Sequence, residues 1–312
     1  MWLKDHRTEK DFPMRSAMWV SDLTAENSGE ELMQDIKELL PGKEVEGLFF
    51  GYVDPDIDIK ANNRYVCNMA KKFGFNGLAV SRPDWTKEEM RNYVKENGFL
   101  GLKPYINFVS PGIKTEDITI FDMVSPEQFK AANEDGYIIL MHLPRPGRLA
   151  DKTNIEQLLT IENKYPNISL IVAHIGRAYT VENLGDSLKL LKYTKNMCFD
   201  FSGNTNSEVI KRALDTFGCK RVLYGSDLPL THMRMKRIYE NGKYINLVEK
   251  GLYPGLENDK SIKEVSKEEA KDFTLYLYES LYAFKKAAVE LGLNRSEIAD
   301  VMYNNGKRLI NK

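Results

Sequence analysis

A chain of 312 residues with 42% hydrophobic and 29% charged residues is long enough to bury a large core and too apolar to be disordered. Its 44 basic and 45 acidic residues leave a net charge of -1, which gives no electrostatic case for nucleic acid or an anionic membrane as a partner. No apolar stretch is long enough to span a bilayer, and the segment Met1–Lys10 carries no apolar signal core. Three widely spaced cysteines, Cys67, Cys198 and Cys219, read as reduced thiols of a cytoplasmic protein.

In chain order, seven apolar runs read as strands: Val45–Val53, Asn76–Val80, Leu100–Phe108, Tyr137–His142, Ile168–His174, Met197–Phe201 and Arg221–Ser226. They are rich in Val, Ile, Leu and Tyr, as a parallel sheet covered on both faces requires. Amphipathic stretches between them predict helices over Glu30–Leu40, Asn62–Phe73, Lys87–Asn97, Pro126–Asn133, Asn154–Tyr165 and Glu208–Phe217. Thr86 stands three residues before Glu89 as a capping pair, and Ser125 caps a helix that opens on Pro126. Gly74, Gly98 and Gly218 follow helical patterns, where a left-handed cap is needed. This alternation predicts an α/β fold with a parallel sheet.

His142, His174 and Asp227 each end a strand, and those strands lie far apart in sequence. That spread favours a β/α barrel, whose site draws on many strand ends, over an open sheet with its site at one switch point. No Gly-x-Gly-x-x-Gly follows an early strand, which argues against a dinucleotide site. From Leu230 to about Asp272 the pattern breaks, so 230–272 reads as an insertion after the last strand and a partial lid. Helices return over 273–310, and the whole chain, 1–312, reads as one domain.

The phrases Ile171-Val-Ala-His-Ile-Gly176 and Leu223-Tyr-Gly-Ser-Asp-Leu-Pro229 resemble signature segments of the amidohydrolase superfamily. The likeness is closest to its amidohydrolase-related branch, which includes lactonases and decarboxylases. Val53-Asp-Pro55, Gly101-Leu-Lys-Pro104 and Tyr303–Ile310 fit in the same order. The resemblance implies a (β/α)8 TIM-like barrel with one or two divalent metals, zinc first, manganese or iron as alternatives. It implies that His142, His174 and Asp227 surround the metal, with Asp227 and His174 acting in catalysis. The implied reaction is hydrolysis of a C–O or C–N bond in a small, carboxylate-bearing substrate by metal-activated water. Non-oxidative decarboxylation on the same site, or a barrel that binds without turnover, are the alternatives.

The chain departs from that family pattern in one place. Its four histidines, His6, His142, His174 and His232, form no His-x-His pair, and the first of eight expected strands is missing. Either the chain is an N-terminally truncated fragment with Met1 in the loop after strand one, or Ser16–Val20 supplies a strand without histidines; truncation is the expectation. Substrate-binding candidates are Lys103, Tyr105, Arg145 and Arg148. Lys103 reads as a carboxylate ligand, as a carbamylated metal bridge, or as a lysine that snorkels to the barrel mouth. Arg145 and Arg148 are placed to clamp a carboxylate, or to satisfy loop carbonyls. His232 reads as a solvated loop residue, and His6 has no evident partner. A small-molecule substrate and a homodimer complete the expectations.

Overall fold

The computed structural model describes residues 1–8, 13–15, 26–256 and 259–312. The first long helix, Gly29–Leu39 (α1), opens with a capping box in which the Ser28 hydroxyl accepts from Glu31 N and the Glu31 carboxylate accepts from Ser28 N. Strands and helices then alternate: β1 Leu48–Phe49, α2 Ile59–Phe73, β2 Asn76–Gly77, β3 Ala79–Ser81, α3 Lys87–Asn97, β4 Gly101–Pro104, α4 Pro126–Asp135, β5 Ile138–Met141, α5 Lys152–Lys164, β6 Ser169–Val172, β7 Cys198–Asp200, α6 Ser207–Phe217 and β8 Val222–Leu223. β1 pairs with β2 in parallel, and β3 to β8 form one parallel sheet in sequence order. β2 and β3 are halves of one extended run: Leu78 N donates to Phe49 O at 2.7 Å, while Ala79 pairs with Leu102 of β4. The result is an α/β fold of the TIM-barrel type.

Each of the seven apolar runs holds a strand, shorter than the run in six of them; Asn76–Val80 instead holds β2 and the start of β3, which runs on to Ser81. Val45–Val53 keeps only Leu48–Phe49, and Leu100–Phe108 ends at Pro104 in a turn over Ile106–Phe108. The helix signals hold as capping boxes at Thr86 and Ser125, with Gly74 and Gly98 at φ 71° and 69°. Gly218 differs: its φ of 73° comes with a ψ of 161°, outside the left-handed helical region. Gly101 is needed where β4 meets β5, because a Cβ there would collide with the Ile138 carbonyl. Leu78, Ile138, Ile171, Cys198 and Leu223 pack together within the sheet, with Leu309 from the C-terminal helix beside them.

The two ends of the strand order are met by other parts of the chain. At β1 the Met1 amine donates to Phe50 O at 2.8 Å, and the Trp2 ring stacks on Tyr52. Burial there pulls the amine down to about 5. Past β8, Tyr224 N donates to Val301 O at 2.9 Å, within a π-helical turn over Asp300–Asn304. Asn305 Nδ2 donates to Val222 O at 2.9 Å, while Lys307 Nζ bonds Glu46, ahead of β1, at 2.7 Å. The C-terminal segment thus bridges both edges, and among the described residues no ladder joins β8 to β1. The segment Ser16–Val20, the alternative eighth strand, lies outside the described residues.

The segment read as an insertion, 230–272, is more ordered than its sequence suggests. It builds a second sheet from β9 Arg234–Glu240, β10 Lys243–Glu249, β11 Ile262–Val265 and β12 Thr274–Leu275, in the order β11-β10-β9-β12. The β9–β10 turn has Asn241 at φ 51° and Gly242 at φ 71°, the signs of a two-residue type I′ hairpin. After it come α7 Tyr276–Glu290, a short helix Arg295–Ala299 and α8 Asn305–Ile310. Among the described residues no helix is long and apolar enough to cross a membrane.

Candidate active site at the barrel mouth

The C-terminal ends of β4 to β8 carry the polar residues of the mouth. His142 follows β5, His174 follows β6, Asp200 ends β7 and Asp227 follows β8. The backbone is strained there. His174, Ile175 and Arg177 hold φ of 57°, 50° and 61°, Arg148 holds 58° and Asp227 56°. Left-handed conformations cost energy in residues other than glycine, most of all in a β-branched one, and such strain gathers at functional sites. Five of the six such residues among the described ones stand at this mouth; Asn241, in the hairpin turn, is the other.

His174 is held by β7. Asp200 Oδ1 accepts from His174 N at 3.1 Å, from Ser202 N at 3.0 Å and from the Ser202 hydroxyl. With that hydroxyl proton committed to Asp200, His174 Nδ1 donates to Ser202 O at 2.9 Å. This network assigns the tautomer and leaves Nε2 as an acceptor. The ring lies 5.5 Å from that of His142, which in turn lies 5.2 Å from that of Tyr105. His142 Nδ1 is buried and has no hydrogen-bond partner among the described residues. Burial holds the His142 pKa well below its ordinary value, and Arg177, His174, Lys103 and Arg148 push the same way. Burial raises the Asp227 pKa, opposed by His174 and reinforced by Asp200.

Lys103 is 4% exposed, with Nζ 5.2 Å from the Phe50 ring centre and 5.3 Å from that of Tyr105. Burial lowers this amine to about 8, against the pull of Asp227 and Asp200. Arg148 stacks on Tyr179 and Tyr244 at 5.1 and 5.0 Å and donates to Asn183 Oδ1 at 2.8 Å. Arg145 does not join this group: its guanidinium is paired with Asp151 Oδ1 at 3.1 Å. Outside the group, His232 pairs with Asp35 across 3.7 Å, and His6 meets the edge of Tyr65.

Several mouth residues escaped the sequence reading. Arg177 donates to Leu143 O at 3.0 Å, and its charge acts on both His142 and Tyr105. Its signal was its place in the loop directly after His174. Asp200 ends β7 and Ser202 lies two residues past it, at the end of an apolar run that shows no other polar residue in its sequence. The insertion adds Arg237, buried and stacked on Tyr179, Tyr244 and Tyr276 at 4.8, 4.6 and 4.8 Å. Arg237 also donates to Asn246 Oδ1, Gly203 O and the Tyr276 hydroxyl. Among the described residues none of Lys103, Arg148, Arg177 and Arg237 forms an ion pair with a carboxylate.

Divalent cations take convergent, anionic or imidazole donor sets. Among the described residues no group of three or more His, Cys, Asp or Glu side chains could hold a metal ion. Lys103, Arg148 and Arg177 also act on His142 as positive charges, which disfavours a further cation there. The described residues therefore do not by themselves fit the metal that the family resemblance implies. Their own chemistry is that of acids, bases and fixed cations.

A family model described as amidohydrolase matches residues 23–309. No curated protein matches the chain. Among solved structures, a probable 2-pyrone-4,6-dicarboxylic acid hydrolase from Acinetobacter baumannii, with citric acid bound, is 15% identical at a TM-score of 0.57, over 92% of this chain and 90% of that one. An amidohydrolase 2 from Bifidobacterium longum subsp. infantis is 15% identical at a TM-score of 0.56, over 100% of this chain and 95% of that one. A 5-carboxyvanillate decarboxylase from Novosphingobium aromaticivorans, complexed with manganese, is 19% identical at a TM-score of 0.40, over 55% of this chain and 60% of that one. At such identities the likeness to the Acinetobacter and Bifidobacterium structures shows the fold alone.

Proposed function

The chain belongs to the amidohydrolase family, and on that premise we propose that it hydrolyses a C–O or C–N bond of a small substrate bearing a carboxylate. One observation carries the proposal. A half-buried carboxyl, Asp227, whose pKa is raised by desolvation, and an imidazole with a free acceptor nitrogen, His174, share a mouth with cations that lack carboxylate partners among the described residues. Two acceptors and several fixed cations are what attack by water on an acyl or lactone carbonyl needs. The Asp227 carboxylate and His174 Nε2 hold and deprotonate the water. Lys103 and Arg177 face the negative charge that develops on the carbonyl oxygen, and Arg148 or Arg177 takes the substrate carboxylate. Asp227, once protonated, returns the proton to the leaving oxygen or nitrogen. The tautomer of His174 makes it an acceptor rather than a donor to the carbonyl.

The test is acid release from a panel of carboxylate-bearing lactones, esters and amides, followed by titration at constant pH. The wild-type chain releases acid from at least one of them. Asp227→Asn lowers kcat/KM by about 100-fold or more, the usual worth of a positioned acid–base group. The wild-type rate rises with pH through an apparent pKa above the ordinary carboxylate value of 3.8, because burial raises the Asp227 carboxyl. Full activity in the Asp227→Asn chain would overturn the reading.

A further inference from the structure

We infer that Lys103 is a nucleophilic amine that condenses with the carbonyl group of a 2-oxo acid held in the barrel mouth. Lys103 belongs to β4, is 4% exposed, and presents its amine to the aromatic faces of Phe50 and Tyr105. Among the described residues no hydrogen-bond acceptor and no carboxylate is paired with Nζ; Asp227 and Asp200 reach it only as longer-range charges. A lysine kept as a structural cation in a barrel interior needs a partner. An unpaired amine among apolar walls sheds its proton readily, and burial does lower this one to about 8. A desolvated lysine of this kind is the usual nucleophile toward carbonyl carbon.

The neighbours supply what the condensation needs. The amine lone pair forms a C–N bond to the carbonyl carbon while the C=O π pair moves to oxygen. One amine proton passes to that oxygen through solvent, giving a carbinolamine. A proton delivered from solvent at the mouth converts the hydroxyl to a leaving water. The C–O bond then breaks, water leaves, and the nitrogen keeps one proton as an iminium ion. Arg177 and Arg148, both acting on His142 and neither ion-paired among the described residues, account for the acid rather than a simple aldehyde: a guanidinium takes the carboxylate next to the reacting carbonyl.

The experiment is reductive trapping on the wild-type chain. The protein is incubated with pyruvate, glyoxylate, oxaloacetate or 2-oxoglutarate, and with acetaldehyde as the carboxylate-free control. Cyanoborohydride then reduces any imine to a stable secondary amine, which peptide mass spectrometry locates. The expected result is one adduct per chain on the Lys103 peptide from at least one 2-oxo acid, above its yield with acetaldehyde. Lys103→Arg loses it, and Arg177→Met lowers the 2-oxo acid adduct without lowering the acetaldehyde one. Absence of a Lys103 adduct from all four acids, or labelling spread over surface lysines alone, would overturn the inference. Mapping on the wild-type chain decides this even if a variant fails to fold. Trapping needs no turnover, so its outcome is separate from that of the acid-release assay.

Discussion

Burial moves the ionisable side chains of the mouth in opposite directions: it keeps Lys103 and His142 toward neutrality and raises the Asp227 carboxyl. Lys103 gives the cleanest consequence for stability. Its folded value of about 8 lies below the ordinary 10.5, so between those values the unfolded chain binds more protons than the folded one. Stability contributed by this residue therefore rises with pH from about 8 toward 10.5. Lys103→Met removes the buried charge and with it this slope, and makes the chain more stable than wild type at neutral pH. Urea unfolding of both chains across this range checks the prediction; parallel stability curves would contradict it. Asp227 runs the other way, because its folded form keeps its proton to higher pH, so its contribution falls as pH rises through the raised pKa.

At the scale of elements, the hairpin β9–β10 brings one polar cluster to the mouth. Arg237 and Asn246 face each other across the hairpin and are bonded at 2.7 Å, and Arg237 ties the hairpin to Gly203 and Tyr276. Arg237→Met leaves Asn246 and the Gly203 carbonyl without that donor, and is expected to cost about 2–4 kcal/mol of stability. Hydrogen exchange should quicken first in 234–249; unchanged protection there would show that the arginine does not hold the sheet. This region also marks the limit of what the sequence made legible. Glu240-Asn-Gly-Lys243 is a hairpin signal, yet the Lys- and Glu-rich faces of β9 and β10 lack the apolar alternation that identifies a strand. The parallel strands were legible because both their faces are buried and their composition is correspondingly apolar. Their lengths were not, since pairing ends where the chain turns toward the mouth. His142, His174 and Asp227 were legible as polar residues ending apolar runs. Arg177, Ser202 and Arg237 stand on loops and on the β9–β10 hairpin, whose approach only the tertiary fold determines, and Arg145 is paired with Asp151, the helix cap six residues on, and donates to the Asp117 carbonyl.

For the molecule as a whole, a net charge of -1 conceals a strongly uneven distribution. The outer helices carry acidic and basic residues side by side and often paired, as Asp135 is with Arg91 and Glu30 with Lys72. The mouth instead collects Lys103, Arg148, Arg177 and Arg237, without carboxylate partners among the described residues, inside a barrel whose end strands are covered by Met1 and by the C-terminal segment. Such an arrangement directs an anion to the strand ends where Asp227 and His174 stand. The most direct measurement is therefore kcat/KM for two lactones identical except for one carboxylate, in the wild-type chain and in Arg177→Met. The account predicts that wild type prefers the carboxylate-bearing lactone by about 100-fold, as a desolvated guanidinium–carboxylate pair allows, and that Arg177→Met loses most of that preference. Equal rates on the two lactones in the wild-type chain would contradict it.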